Sequence, residues 1–171
     1  MDFPFGDFSK FPVSRFESML KTNEIQFFDA SEFEEIGQYY IDAANLSMAK
    51  KAIEVGLKQH PDATELTLLL IEYHTLTNAY EEARLLVDNL IAVEPFNPYA
   101  FQHLAVIQSK CNAHQEAIES LKKGLMYTET KYEFHALLAM EYLHLDAFFM
   151  AKEYFIKCLE EEVTDNHALY N

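Results

Sequence analysis

The side chains in this sequence that could act on a substrate are seven histidines, two cysteines and a set of carboxylates. Zinc chemistry would need imidazoles that converge, as in HExxH or in two histidines four residues apart on one helix face. His60, His74, His103, His114, His135, His144 and His167 form neither pattern, and neither His103 beside Gln102 nor His135 with Glu141 makes a constellation recognisable from spacing. They read as scattered structural imidazoles. Nucleophilic catalysis would need a Ser or Cys set beside a base on a strained elbow, and phosphate chemistry a glycine-rich loop. With four glycines in all, the chain offers neither. The acidic pairs Glu34-Glu35 and Glu81-Glu82 could serve as general acid and base only inside a cleft, and otherwise sit on solvated helix faces. Cys111 and Cys158 form no CxxC motif and each falls in a helical stretch, so both read as buried free thiols in a reducing compartment. The expectation is a protein that is not an enzyme and has no metal or cofactor.

Composition narrows the remaining classes. A chain of 171 residues, half of them hydrophobic, can bury one sizeable core or one continuous core shared by stacked units. The net charge of −15, from 28 acidic and 13 basic side chains, repels phosphate backbones and anionic bilayers, which argues against nucleic acid and membrane surfaces as partners. The opening MDFPFGDFSKFP has neither a cationic start nor an apolar run of signal-peptide length, and no stretch of membrane-spanning length follows. A cytoplasmic location is the resulting expectation.

The elements that would have to position any site are set by a period. Ala49, Ala83, Ala117 and Ala151 are each 34 residues apart. Ile53, Val87, Leu121 and Phe155 follow them at a constant four residues, on the same helix face, and Ile36, Leu70, Leu104 and Leu138 precede them at a constant thirteen. Five residues before each alanine stand Ala44, Asn78, Asn112 and Asp146; three of these four tolerate the left-handed backbone that a tight turn between helices needs. Pro61 and Pro95 each close a helical stretch. The spacing predicts helix pairs over 32–43 and 46–60, 64–77 and 80–94, 98–111 and 114–127, and 132–145 and 148–162, with no segment showing the alternation of a half-buried strand.

This period and these residues resemble the tetratricopeptide repeat family, whose unit is about 34 residues of helix-turn-helix. The first copy matches most fully, with Phe33, Ile36, Gly37, Tyr40, Ala49, Ile53, Gly56 and Pro61 on the family pattern. Later copies depart: Ile71 stands for the small Gly37, Thr67 and His135 for the aromatic Phe33, and Glu129 and Val163 for the closing proline. The resemblance implies an all-α fold, a right-handed superhelix or α-α solenoid of four repeats at 30–63, 64–97, 98–131 and 132–163. Stacked repeats need caps. The stretch 1–29 is expected to hold a capping helix near 14–24, opened by a capping box of Ser14 and Glu17, with Phe16, Met19 and Leu20 as its stripe. Phe3, Phe5, Phe8 and Phe11 could join that cap or dock on a partner. The tail 164–171 reads as the opening of a further repeat, and FFDASEFEEIGQYYIDAANLSMAKKAIEVGLKQHP is similar to the start of longer bacterial proteins of this family.

The resemblance also implies a binding face, since the first helix of each repeat lines a concave groove in this family. The positions left after the packing stripe are Glu34, Gln38 and Asp42, then Glu65, Leu68, Glu72 and Thr75, then Tyr99, Gln102, Val106 and Lys110, and last Glu133, Ala136, Met140 and Leu143. The family's clamp for acidic carboxyl-terminal peptides uses Lys, Arg and Asn; Glu34, Gln38, Tyr99 and His103 occupy the matching faces here, so that activity is not expected. A groove acidic at one end and apolar at the other suits a basic or amphipathic helix or an extended peptide, and the bland alternative is that the acids only keep the surface soluble. Ala147, Phe148, Phe149 and Phe155 would need cover from further repeats or a partner chain, a homodimer through that face being one way to supply it. Two readings stand: a scaffold holding a protein or peptide, and a segment of a larger solenoid that packs on itself.

Overall fold

Four residues with left-handed backbone punctuate the chain at the expected interval. Ala44, Asn78, Asn112 and Asp146 have φ of 54°, 60°, 60° and 55°. In each case the next residue's N–H donates to the carbonyl five residues back: Asn45 to Tyr40 and Ala79 to His74 at 2.8 Å, Ala113 to Gln108 and Ala147 to Tyr142 at 2.9 Å. These bonds satisfy carbonyls that every helix end leaves open. Asn and Asp enter this region at small cost, whereas Ala44 holds it with no polar side chain to help.

The computed structural model describes residues 11–169, with side chains described over 12–161. Phe3, Phe5 and Phe8 lie outside the described residues. Among the described residues all regular structure is helical: α1 (Phe11–Thr22), α2 (Ala30–Asp42), α3 (Leu46–Gln59), α4 (Thr64–Leu76), α5 (Tyr80–Val93), α6 (Pro98–Lys110), α7 (His114–Leu125), α8 (Tyr132–His144) and α9 (Phe148–Leu169). The eight repeat helices begin within two residues of the expected positions. Contacts divide the chain into two units, one ending at Ala79 and the other starting at Tyr80, so the helices of the second repeat belong to different units.

In the first unit, α1 packs on α2, and α4 packs on both α2 and α3. Phe16, Phe28, Phe33, Ile36, Tyr40, Ala49 and Leu66 form its core. Phe16 meets Phe28 and Phe33 edge-on at 6.3 Å, and Phe28 lies 5.2 Å from Phe33. The Arg15 guanidinium sits 4.4 Å over the Phe28 ring and donates to Glu32 at 2.7 Å, fastening the cap to α2. The link before α2 is held by side chains of α3 and its end. Gln59 accepts from the Phe28 N–H at 3.1 Å and donates to the Gln26 carbonyl at 2.9 Å, while His60 Nε2 lies 2.7 Å from the Phe28 carbonyl. The capping-box expectation is corrected here. The cap helix opens at Phe11, which places Ser14 inside it, and the reciprocal N-terminal arrangement belongs to α2, where the Glu32 carboxylate accepts from the Asp29 N–H at 2.9 Å.

In the second unit, α6 packs on α5 and α7, and α8 on α7 and α9. Ala105, Ala117, Ile118, Leu121, Phe134, Leu138, Ala139 and Tyr154 form its core. Pro98 opens α6 where its missing N–H costs nothing, and Asn97 accepts from the N–H groups of Tyr99 and Ala100. The tail departs from expectation: the backbone of 164–169 continues α9 without a break. Glu160, Glu161 and Glu162 are sound helix formers, and no Gly or Pro follows to end the helix.

The packing series is realised at the alanines, all of which are buried, and at Ile36, Leu104 and Leu138. Leu70 is only half-buried, because Leu66 and Leu69 carry the buried face of α4. Phe155 is 39 % exposed where its counterparts Ile53, Val87 and Leu121 are fully covered. A second phased position, Gly56, Leu90, Gly124 and Cys158, governs how closely one repeat's second helix meets the next repeat's first. A Cβ at Gly56 would sit 2.9 Å from both Leu66 Cδ1 and Phe33 Cγ, and one at Gly124 would collide with Phe134. At the equivalent place in the middle of the chain the sizes invert, with Leu90 and Ala100 both buried. Gly56 thus lies against Leu66 and Gly124 against Phe134, and Leu90 and Ala100 occupy the corresponding positions of the intervening repeat.

Candidate binding surface

Two separate faces carry the groove residues, one in each unit. In the first, α2 contributes Glu34, Gln38 and Asp42, and α4 contributes Glu65, Leu68 and Glu72. Gln38 Nε2 donates to Asp42 Oδ1 at 2.9 Å, and its side chain also bonds Glu72 across the helix pair. Burial pushes the Glu34 carboxyl above the ordinary carboxylate range, helped by the charges of Glu65 and Glu35. Burial also raises Glu72, with Asp42 adding to the shift and the Gln38 hydrogen bond opposing it. Two pairs of carboxylates, Glu34 with Glu65 and Asp42 with Glu72, thus repel each other across the two helices. Leu68 is half-buried beside them. Thr75 does not belong to the face: it is buried, and its hydroxyl donates to the Ile71 carbonyl at 2.8 Å.

In the second unit, α6 and α8 supply the equivalent positions. Gln102 Nε2 donates to Glu133 Oε2 at 3.3 Å, tying the two helices across the face. Tyr99, Lys110, Met140 and Leu143 are exposed, while Val106 and Ala136 are half-buried. This face is more apolar and carries a cation, in contrast to the acidic face of α2 and α4. Beside it, burial drives the His103 imidazole down to about 4, so His103 is neutral at physiological pH.

Most of the remaining chemistry-bearing residues have structural partners. His60 holds the Phe28 carbonyl, and His135 Nδ1 lies 3.2 Å from Glu161, buried where Phe33 sits in the first repeat. One grouping is not visible from local spacing: His114 Nδ1 is 2.8 Å from Glu141 Oε2, and the His114 ring stacks on His144 with centroids 4.6 Å apart. Glu141 is buried at the position that Ile107 fills one repeat earlier, so His114 satisfies a carboxylate that has left water. Phasing the repeats would have paired these residues, since Glu141 lies 34 residues after Ile107 and His114 34 after Tyr80. Among the described residues, no three His, Cys, Asp or Glu side chains converge as metal ligands would, and no helix is long and apolar enough to cross a membrane. The cysteines divide. Cys158 is buried, its thiol raised by burial and by the charge of Glu161, but Cys111 is exposed because it occupies the C-cap of α6, beside the left-handed Asn112.

The phased helix pairs, left-handed turns and open first-helix faces define an all-α helical-repeat protein with the tetratricopeptide type of fold. Solved structures agree. A crystal structure of MamA has a TM-score of 0.67 at 16 % identity, covering 98 % of this chain and 99 % of that one. MamA AMB-1 has a TM-score of 0.64 at 21 % identity, covering 91 % and 95 %. MamA 41-end from Desulfovibrio magneticus RS-1 has 0.64 at 16 %, covering 93 % and 97 %. At these identities the likeness is one of fold. No protein-family model matches the chain, and neither does any curated protein.

Proposed function

We propose that this chain is a non-catalytic protein-interaction scaffold that uses the acidic face of α2 and α4 to hold a basic, amphipathic segment of a partner protein. The observation that carries the reading is the pairing of like charges across the two helices, Glu34 with Glu65 and Asp42 with Glu72. Burial and mutual repulsion hold Glu34 and Glu72 above the ordinary carboxylate range. Such crowding costs free energy in the unbound protein, and a Lys or Arg side chain placed among these groups would relieve it. Leu68 offers the apolar contact an amphipathic helix needs beside its charges. The exposed Tyr99, Met140 and Leu143, with Gln102, Val106 and Lys110, provide a second and more apolar face for the same class of ligand.

The test is titration of a fluorescent Lys- and Arg-rich amphipathic peptide against the wild type and a Glu34→Gln/Glu72→Gln variant. Binding should weaken about tenfold in the variant, the scale of a lost pair of charge contacts, and should fall with added salt. Equal affinity for both proteins, or insensitivity to salt, would refute the acidic face as the docking site.

A further inference from the structure

We draw no further inference here: the strongest candidate, the outer face of α9 where Phe148, Phe155 and Leu159 are exposed, is an unpartnered apolar face, and nothing in the structure shows whether a second copy, a further repeat or another protein covers it.

Discussion

Replacing His114 with alanine isolates the Glu141 carboxylate. The wild-type pair is short, 2.8 Å, and its side chains are only 17 % and 7 % exposed, so water cannot take over the lost hydrogen bond at the Glu141 oxygen. A hydrogen bond to a charged group contributes about 1.5–3 kcal/mol, and stranding its buried partner adds desolvation that was previously compensated. His114→Ala should therefore destabilise the protein by about 2–3 kcal/mol, read as a lower urea midpoint by circular dichroism at neutral pH with the slope unchanged. Glu141→Ile leaves an imidazole that, at 17 % exposed, can still reach water at the edge, and should cost less. The double variant His114→Tyr/Glu141→Ile installs the residues that the preceding repeat carries at these positions, Tyr80 and Ile107, and should recover to within about 1 kcal/mol of wild type. The coupling across the cycle should exceed about 1.5 kcal/mol. Additive losses, with the double variant as unstable as the two singles combined, would show that the pair does not act as a unit and would refute this account of Glu141.

Ala44→Gly removes a Cβ from a residue held at φ 54° and should raise stability by about 0.5–1 kcal/mol, whereas Asn112→Ala at φ 60° should lower it by a similar amount; thermal melts of both decide this. Gly124→Leu and Phe134→Ala should each destabilise by about 2–4 kcal/mol, through overlap and cavity respectively, while the combination recreates the Leu90 and Ala100 arrangement and should recover at least about 2 kcal/mol of the summed loss. The pH dependence contains two opposing contributions. His103 takes up a proton near 6.5 when unfolded but only near about 4 when folded, so the unfolded state binds more protons in that window and stability falls as pH drops through it; His103→Leu should flatten this slope. Glu72 is raised above 4.5, so the folded state holds the extra proton just above that value, and burial together with the Asp42 charge penalises folding once the group is ionised; Glu72→Gln should stabilise by about 0.5 kcal/mol at neutral pH and by nothing well below 4.5, measured by urea titration at each pH.

The repeat architecture was legible because its signal is redundant. Alanines, turn residues and apolar positions recur in one register, and each is dictated by a different local cause: close helix approach, left-handed backbone and burial. The acidic pairing of α2 with α4 was partly legible. Glu34 and Glu72 could be put on first-helix faces from helical periodicity, but that Gln38 would bond both Asp42 and Glu72 depends on tertiary distance. Thr75 shows the limit of that reading, because a residue on the expected face turned inward to bond its own helix. The capping box was misplaced because Ser14-x-x-Glu17 matches a local pattern that any helix interior can also contain, and only packing reveals that α1 begins at Phe11. Likewise Cys111 lies one residue beyond the regular helix, where a single position decides between core and solvent.

The inversion of sizes between Gly56, Leu90 and Gly124 also bears on how such a chain avoids going wrong. Copies of one repeat are near-equivalent to a folding chain, and omission of a copy, with one repeat stacking on the next but one, is a characteristic hazard of arrays. Here a skipped stack would set Ala100 or Phe134 against the wrong neighbour: Gly56 opposite Ala100 leaves a hole, and Leu90 opposite Phe134 cannot close. Identical copies would fold to several orders with similar energy. Unequal ones give the chain an internal address system, in which a repeat does not accept the next but one.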